Sequence, residues 1–385
     1  MKNKKRILVL FSLLLFAGFV LSGLKCAKQV AFALPSAVQT SAKGMVLIEE
    51  NSLRVLQEKN KDEKLPMAST TKIMTAYSVL KRCENLDTVV KVSPLSVGIE
   101  GTSMYLKKGN EYTIKDLLYG MMIVSGNDAS VALALHFAGS IKEFADIMTN
   151  DAKELGLKNT SFKNPHGLDE KGHYTTAYDL AVITAHAMKF DFFKETVKQK
   201  SVMVTEKNTP DKVQLLINKN KLLGAFKQVT GVKIGFTDAA GRCLVASGED
   251  NGLKLISVVL NCPDMFLDSK NLLEFGFTNY VHTNLLESYK IHRKVQIEEG
   301  REKEIKIYTK REFSYPLTLD ESFEIKFEYA IDENLKAPIE KEQVVGKYKI
   351  LLNDELLFET PLYSFEQIKS DHFLEYLKDV LSHWI

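Results

Sequence analysis

The sequence predicts an α+β fold: an antiparallel sheet covered by helices, followed by a small all-β domain and an amphipathic tail helix. Residues 37–285 begin and end with apolar, strand-like segments and have mainly helical periodicity between them. Residues 289–363 contain short segments that alternate with period two, and in residues 365–385 apolar side chains recur on one helical face. Strands at both ends of a helical stretch are typical of an antiparallel sheet that carries a helical insertion.

In the first of these regions, the segments 44–48 and 52–57 predict a β-hairpin. A helix is predicted to begin near Ser69, and another begins after Thr113, which forms a capping-box-like start with Asp116. The same periodicity arguments predict the other elements: helices over residues 128–137, 141–155 and 177–188, and strand-rich segments over 202–232 and 243–261. The segment around residue 265 is taken as a loop.

The second and third regions differ in their period. Strands of the small β domain are predicted over residues 294–298, 304–308, 322–327 and 348–352, with a turn and one more strand after residue 352. The tail carries its apolar side chains on one face: Ile368, Phe373, Leu374, Leu377, Val380, Leu381, Trp384 and Ile385. Its charges prevent it from spanning a bilayer, so it either lies in the headgroup region or packs back on the β domain.

The first 33 residues have the pattern of a secretory signal peptide. Four basic residues among the first six precede an apolar run from Ile7 to Leu24, and Ala31-Phe32-Ala33 gives a small-x-small cleavage site. An uncleaved N-terminal anchor is the alternative, because the apolar run approaches the length that spans a bilayer. Both interpretations predict that the rest of the chain is exported and acts outside the cytoplasm.

Charge and cysteine content exclude several classes of protein. Loss of residues 1–33 removes six basic groups and no acidic ones, so the formal net charge falls from +2 to −4. A mildly acidic protein has no strong electrostatic attraction to nucleic acid. The remaining cysteines, Cys83, Cys243 and Cys262, lack metal-ligand spacing. They are expected to be isolated thiols, with one disulfide as the alternative, and neither a metal nor another cofactor is expected.

Ser69 and Lys72 form the first candidate catalytic pair. Positions i and i+3 share one face of a helix, so the lysine can reach the serine hydroxyl. A serine hydroxyl needs a base to become a good nucleophile, and a lysine serves as one when burial and neighbouring cations lower its pKa. The alternative is an ordinary helix start that carries an exposed lysine.

Two further short motifs carry polar groups that can enter a cleft. In the first, Ser125 can relay a proton and Asn127 can hold a substrate carbonyl while supporting Lys72, unless this loop merely caps the next helix. In the second, Lys233 and Gly235 share one face of a predicted edge strand. A glycine there leaves room for an extended peptide to pair with the strand, whereas the alternative is an ordinary amphipathic strand.

In this order, S-x-x-K, S-x-N and K-x-G resemble the three signatures of the penicillin-binding proteins and the active-serine β-lactamases. The surrounding segments resemble the low-molecular-weight D-alanyl-D-alanine carboxypeptidases in particular. The segments are PMASTTKIMTAY, LLYGMMIVSGNDASVALA, LKNTSFKNPHGLDEKGHYTTAYDLA and GVKIGFTDAAGRCLVAS, and the resemblance continues into the β domain. It implies a penicillin-binding/β-lactamase-like fold with a tail that is a peripheral membrane anchor.

The resemblance also implies a role for each motif residue. Ser69 would be the acylated nucleophile, Lys72 its general base, and Ser125 and Asn127 the groups that assist proton transfer and substrate orientation. Lys233 would add positive charge beside the substrate. The oxyanion hole would combine the backbone N–H of Ser69 with that of Phe236 or Thr237, next to Gly235, and the strand spacing favours Phe236. His166 matches a family segment and is expected to shape a loop.

This chain departs from the family at two positions. Ile234 stands where relatives have Thr or Ser, and Met265 stands where they commonly have an arginine; both family residues bind the terminal carboxylate of the substrate. Loss of a hydrogen bond to a charged group costs about 1.5–3 kcal/mol. The departures predict weakened recognition of a free terminal carboxylate, with the acylation machinery retained.

The sequence therefore predicts a serine D-Ala-D-Ala carboxypeptidase that trims peptidoglycan stem peptides and is acylated by β-lactam antibiotics. The alternatives are a DD-endopeptidase, a weakly active penicillin-binding protein, or a non-catalytic envelope protein. A β-lactamase is disfavoured because no motif supplies a base for rapid hydrolysis of the acyl-enzyme. The expected location is the cell envelope at the outer face of the cytoplasmic membrane, with the tail helix on the membrane surface.

Overall fold

The structure is a computed structural model, and it describes residues 37–371, 377 and 380–383. The predicted signal peptide lies outside the described residues. The strands that it describes are β1 Gly44–Glu49, β2 Val55–Lys59, β3 Val89–Lys91, β4 Glu111–Thr113, β5 Ser201–Thr205, β6 Val213–Ile217, β7 Val229–Thr237, β8 Gly241–Asp250, β9 Leu253–Leu260, β10 Val281–Leu286, β11 Ile291–Gln296, β12 Glu304–Tyr308, β13 Phe313–Leu317, β14 Ile325–Ile331, β15 Val344–Leu352 and β16 Glu355–Ser364. The α-helices are α1 Lys72–Leu80, α2 Ile114–Ile123, α3 Asn127–Ala138, α4 Ile141–Glu154, α5 Ala177–Ala187, α6 Asp191–Val197, α7 Met265–Asn279 and α8 Leu319–Phe323.

An antiparallel sheet with the strand order β2-β1-β9-β8-β7 forms the middle layer. Successive side chains of a strand point to opposite faces. Val46 and Ile48 of β1 accordingly pack with the cluster formed by helices α1 to α5, whereas Met45 and Leu47 pack with α7. The predicted α+β fold with a helical insertion is confirmed. Strand β7 lies at the edge of this sheet and, among the described residues, pairs with β8 alone.

Helix α1 is the most enclosed helix of this layer, since its residues from Lys72 to Val79 are all buried. Such a helix is expected to carry no unpaired charge, and Lys72, its one charged residue, is the side chain that needs a functional explanation. The capping box predicted at the start of α2 is present: Thr113 accepts a hydrogen bond from the amide of Asp116, and the Asp116 carboxylate accepts one in return. Cys83, Cys243 and Cys262 are free thiols.

The loop predicted around Met265 is wrong, because helix α7 begins at this residue. Met265, Phe266 and Leu267 are consecutive apolar residues, which hides the helical period in the sequence. In the structure, Leu272 and Leu273 of this helix are completely buried against the sheet. Met265 is the first residue of the helix, so its side chain lies at a helix end and not within a loop.

The C-terminal region is an all-β domain, as predicted, with a sheet in the order β11-β12-β16-β15-β14. Two predicted boundaries differ from the structure. Strand β10 pairs with β13, so the β region begins at Val281 and not near residue 289. The strand predicted over residues 322–327 begins only at Ile325, because Thr318 and Glu321 form a capping box that starts α8.

The tail helix predicted over residues 365–385 begins later than expected. Residues 365–371 are not helical: Ile368 and Ser370 form isolated β-bridges, and Ile368, which pairs with Ile339, is 1% exposed in the core of the β domain. Leu377, Val380 and Leu381 are helical and exposed, whereas most other residues of the predicted apolar face lie outside the described residues. In the part of the chain that the structure describes, no helix is both long and apolar enough to cross a membrane.

Arg54 joins the two regions of the chain. It follows β1, and its guanidinium group contacts the Glu321 carboxylate and the backbone carbonyl of Pro316. The same group lies 5.4 Å from the ring centroid of Tyr280 and 5.0 Å from that of Tyr315. A charged, planar side chain held between two rings and a carboxylate orients the β domain against the sheet.

Candidate active site

Ser69 lies on a 3-10 turn, Ala68–Thr71, that leads directly into α1. Ala68 has a φ of 48°, in the left-handed region that residues with a Cβ rarely occupy. The hydroxyl of Thr71 donates to the carbonyl of Ala68 at 2.8 Å, and Gly167 packs so closely on that carbonyl that a Cβ there would overlap it. The surrounding contacts therefore hold the turn in the conformation that presents Ser69 to the cleft.

Lys72 lies beneath this serine. Its Nζ atom is 3.1 Å from Ser69 Oγ, 2.6 Å from Asn127 Oδ1 and 2.7 Å from the backbone carbonyl of His166. The predicted i,i+3 contact is present, and the alternative of an exposed lysine is wrong because Lys72 is completely buried. The ammonium form would have three acceptors but no carboxylate among its hydrogen-bond partners.

Burial lowers the pKa of Lys72 well below its ordinary value, and the positive charge of Lys233 lowers it further. Asp128 acts in the opposite direction, but less strongly. A neutral amine next to a serine hydroxyl can accept its proton, which an ammonium group cannot do. The environment of Lys72 thus favours its neutral form.

Ser125 and Asn127 face the same pair. Ser125 has a φ of 64°, and its buried Oγ atom makes no hydrogen bond with any described residue, although the side chain lines the cleft. Asn127 is fixed by donating from Nδ2 to the carbonyl of Glu100 at 2.6 Å. Neither residue caps α3: the N-cap is Gly126, which makes no side-chain capping bond.

Asp128, the next residue, organises the opposite wall of the cleft. Its carboxylate accepts hydrogen bonds from the backbone amides of Met104 and Leu106 and from the Ser103 hydroxyl. These bonds hold the segment that includes Thr102, whose carbonyl accepts from the amide of Asn127. Asp128 therefore positions a loop and is not merely a cap of helix α3.

Lys233 enters the site from strand β7 and is 2% exposed. Its Nζ atom donates to the carbonyl of Ile234 at 3.2 Å. Burial lowers its pKa to about 7, and the neighbouring charge of Lys219 contributes to the shift. The alternative of an ordinary amphipathic strand is wrong, because the side chain of Lys233 is buried at the site.

Gly235 brings the strand against the nucleophile. A Cβ at this position would lie 2.9 Å from the amide nitrogen of Ser69 and 3.1 Å from Ala68 Cβ, which is too close for any residue but glycine. Phe236 and Thr237 follow along the cleft, and Phe236 is 62% exposed. The Thr237 hydroxyl donates to Asp169 at 2.8 Å, so the contact this side chain makes in the structure is with a loop.

His166 also lies at the site but is held neutral. Burial and the charge of Lys72 lower its pKa to about 3, and its Nδ1 atom accepts from the amide of Leu168 at 3.2 Å. The structure thus places its ring in a loop contact, as expected. His173 was missed: its Nε2 atom is 2.9 Å from Thr71 Oγ1, and its Nδ1 atom accepts from the amide of Lys163. This ring supports the nucleophile turn from behind.

A cleft of about 310 Å³ joins these groups. It is lined by Ser69, Gly101, Thr102, Ser125, Asn127, Gly167, Leu168, Lys219, Ile234, Gly235, Phe236, Thr237 and Met265. Both positions at which the chain departs from the family, Ile234 and Met265, therefore border the same cavity. Lys219 was missed in the sequence, because its distance of fourteen residues from Lys233 carries no periodic signal.

The arrangement defines a class of protein. A serine at a helix N-terminus, a buried lysine against its hydroxyl and a glycine-containing edge strand beside its amide are the parts of a serine acyl-transfer site. Among the described residues, no group of three His, Cys, Asp or Glu side chains is placed to hold a metal ion.

Comparison with known proteins agrees with this class. A family model described as D-alanyl-D-alanine carboxypeptidase, peptidase S11, matches residues 30–264, and one described as penicillin-binding protein 5, C-terminal domain, matches residues 280–370. The D-alanyl-D-alanine carboxypeptidase DacF of Bacillus subtilis is 35% identical over 367 residues, which cover 92% of this chain and 94% of that protein. DacC of Escherichia coli is 33% identical over 363 residues, 89% of each chain.

Solved structures give the same result. Penicillin binding protein 5 from Haemophilus influenzae superposes with a TM-score of 0.74 at 31% identity, covering 87% of this chain and 99% of that one. The chain therefore belongs to the D-alanyl-D-alanine carboxypeptidase family of serine peptidases, and the family resemblance of its sequence is confirmed.

Proposed function

We propose that the protein removes the terminal D-alanine of peptidoglycan stem peptides through an acyl-enzyme on Ser69. The observation that carries this proposal is the contact between Lys72 Nζ and Ser69 Oγ in a completely buried environment without a carboxylate partner. That environment favours the neutral amine, and a neutral amine at 3.1 Å is in position to activate the hydroxyl.

Acylation begins when Lys72 takes the proton of Ser69 Oγ, which attacks the carbonyl carbon of the penultimate D-alanine. The carbonyl oxygen becomes negative and is stabilised by the backbone N–H groups of Ser69 and Phe236. The C–N bond then breaks, and the leaving amine takes a proton from Lys72 by way of the Ser125 hydroxyl. Ser125 suits this relay because its Oγ atom is buried and has no other partner among the described residues.

Deacylation uses water in place of the amine. Lys72, neutral again, takes a proton from the water as it attacks the ester carbon. When the intermediate collapses and the bond to Ser69 Oγ breaks, Lys72 gives that proton to Ser69 Oγ. Asn127 keeps Lys72 in place through its 2.6 Å contact and binds the substrate from the cleft side. A β-lactam acylates Ser69 by the same first step, but its ring nitrogen stays attached to the acyl group and does not diffuse away.

We also propose that the chain is exported and works at the outer face of the cytoplasmic membrane, with the tail helix on the membrane surface. The basic and apolar pattern of residues 1–33 supports export, and the exposed apolar side chains of Leu377, Val380 and Leu381 support a surface contact. Flotation with liposomes tests it: the chain from residue 34 should bind vesicles, and the same chain ending at residue 371 should not.

A DD-endopeptidase is the second candidate, and a specific observation favours it. Ile234 and Met265 both border the cleft where relatives have groups that bind a terminal carboxylate. A cross-link whose amine comes from a lysine side chain has no carboxylate beside the scissile bond, so an apolar wall would not penalise it.

The experiment that tests the function uses the chain from residue 34 with fluorescent penicillin, a D-Ala-D-Ala pentapeptide and a cross-linked dimer of stem peptides. Ser69→Ala is compared with Ser201→Ala, which changes an exposed serine on β5. The carboxypeptidase is supported if the unsubstituted protein releases D-alanine and if Ser69→Ala, but not Ser201→Ala, loses labelling by penicillin. Cleavage of the dimer alone supports the endopeptidase. A folded protein that takes no label and cleaves neither substrate contradicts both.

A further inference from the structure

The cleft must accommodate a negative charge if its substrate ends in a free carboxylate. Ile234 and Met265, the two positions where relatives have polar groups for this purpose, present apolar side chains. Both pack at the edge of the cluster formed by α7 and the sheet, where Leu272 and Leu273 are completely buried. A carboxylate placed against this wall would lose hydration without gaining a hydrogen bond.

Lys219 is the one cation among the described residues that line this cleft. It makes no hydrogen bond or ion pair with any described residue, so its ammonium group is free to meet a ligand. Its backbone is held on both sides: the amide of Asn218 donates to the carbonyl of Lys200, and the Asn220 side chain accepts from the amide of Leu222. The backbone of Lys219 is therefore fixed beside the cleft, while its ammonium group has no partner among the described residues.

Lys233 does not serve the same purpose directly. It is buried, does not line the cleft surface, and donates to the backbone carbonyl of Ile234. The charge of Lys219 is close enough to lower the pKa of Lys233, and neither lysine has a carboxylate partner. Two neighbouring amines without a counter-ion create a position at which an anion is attracted.

We infer that Lys219 binds the terminal carboxylate of the substrate in this chain, while Ile234 and Met265 contact the methyl side chain of the departing D-alanine. The inference rests on the proposed function and adds a specificity residue to it. In relatives, residues at the positions of Ile234 on β7 and Met265 on α7 bind the carboxylate. In this chain Lys219, in the segment that follows β6, would bind it instead.

Two thioester substrates test this assignment. Both present an N-acyl-D-alanyl group, and they differ in whether the leaving thiol is thioglycolate, which carries a carboxylate, or thioglycolamide, which is neutral. The charge ratio is kcat/KM for the thioglycolate ester divided by kcat/KM for the thioglycolamide ester. It isolates recognition of the charge, because both substrates form the same acyl-enzyme. Lys219→Met should lower this ratio about tenfold, the lower range for a lost hydrogen bond to a charged group. Lys221→Met, two residues away and outside the cleft lining, should leave the ratio unchanged.

A second pair of variants tests the contribution of the apolar residues Ile234 and Met265. Ile234→Thr combined with Met265→Arg should raise the ratio, and adding Lys219→Met to that protein should then lower it by less than about threefold, since a second receptor is present. The inference is overturned if Lys219→Met leaves this ratio unchanged, whether both kcat/KM values stay the same or both fall equally.

Failure of the proposed function would look different. Wild-type protein that is labelled by penicillin at Ser69 but hydrolyses neither thioester would contradict the hydrolase. Turnover of both thioesters with an insensitive ratio would leave the hydrolase intact and remove only the role of Lys219. Thermal melts of each variant show whether the fold is retained, which we expect because Lys219 is exposed.

Discussion

Gly235 lies so close to Ser69 that a Cβ on the glycine would be 2.9 Å from the serine amide nitrogen. This amide is one of the two proposed oxyanion donors, so the strand and the nucleophile turn are fitted to each other at that atom. Backbone atoms of both elements would have to move to admit a methyl group, since Met67 O is also only 3.1 Å from the same point.

Gly235→Ala is expected to slow acylation by fluorescent penicillin about a hundredfold, in line with loss of an oxyanion donor. Stopped-flow or gel-based labelling measures the rate, and a thermal melt reports the fold. Gly44→Ala is the matched control: the added methyl meets the side chain of Leu65 at 3.0 Å and the carbonyl of Asn60 at 3.3 Å, and Gly44 does not line the cleft. Equal acylation rates in Gly235→Ala and wild type would contradict the role of this close approach.

Asn127→Asp should change the pH dependence of acylation. The amide oxygen lies 2.6 Å from Lys72 Nζ, and a carboxylate there would stabilise the ammonium form and raise the pKa of Lys72. The proportion of neutral base at pH 7 then falls, so the acylation rate drops about tenfold or more and recovers as the pH rises. Asn127→Ser, which adds no charge, serves as the control. A rate that is reduced equally at every pH would show that Asn127 acts only through geometry.

Lys233→Met should stabilise the fold while impairing activity. The folded protein holds the pKa of Lys233 at about 7, below its ordinary value of 10.5, so below pH 7 the folded state bears the cost of a buried charge. That cost is about 5 kcal/mol. Between pH 7 and 10.5 the unfolded chain binds the extra proton, so wild-type stability rises with pH and the advantage of the variant shrinks.

Denaturant titrations of the two proteins at pH 6 and pH 10 measure this difference. Lys221→Met, at an exposed position, supplies the control and should show no comparable gain. A gain in Lys233→Met that is the same at both pH values would mean that the lysine is not forced toward its neutral form in the folded protein.

Arg54→Ala should uncouple the two regions of the chain. Its removal leaves Glu321 without its guanidinium partner and empties the space between Tyr280 and Tyr315. The expected loss is about 2–3 kcal/mol of unfolding free energy, with two calorimetric transitions in place of one. Lys326→Ala breaks an exposed ion pair with Asp354 and should cost no more than about 0.5 kcal/mol. A single, unshifted transition in Arg54→Ala would show that other contacts hold the regions together.

Local spacing accounts for the site residues that the sequence predicts well. Ser69 and Lys72 are three positions apart on one helix, so their contact follows from helical geometry alone. Lys233 and Gly235 share a strand face for the same kind of reason. The helix motif with Ser69 and the strand motif with Lys233 are far apart in the chain. Neither motif indicates which other element it faces, so only the family resemblance predicted that the two form one site.

The residues that the sequence did not reveal depend on contacts between distant segments. Lys219 lines the same cleft as Ser69 although the two are 150 residues apart in the chain, and His173 supports Thr71 across about a hundred residues. The tail shows the opposite error: Ile368 fits the helical period, but the β domain offers it a buried site and an extended backbone pairing. Tertiary burial outweighed the local pattern there.

Strand β7 has a free side, since among the described residues it pairs with β8 alone. A ligand that lies along this side as an added strand is held chiefly by main-chain hydrogen bonds, which every amino acid can form. Recognition of that kind is indifferent to most side chains of the ligand. The enzyme should therefore tolerate variation in the middle of the stem peptide, and selectivity is left to the few groups around the scissile bond.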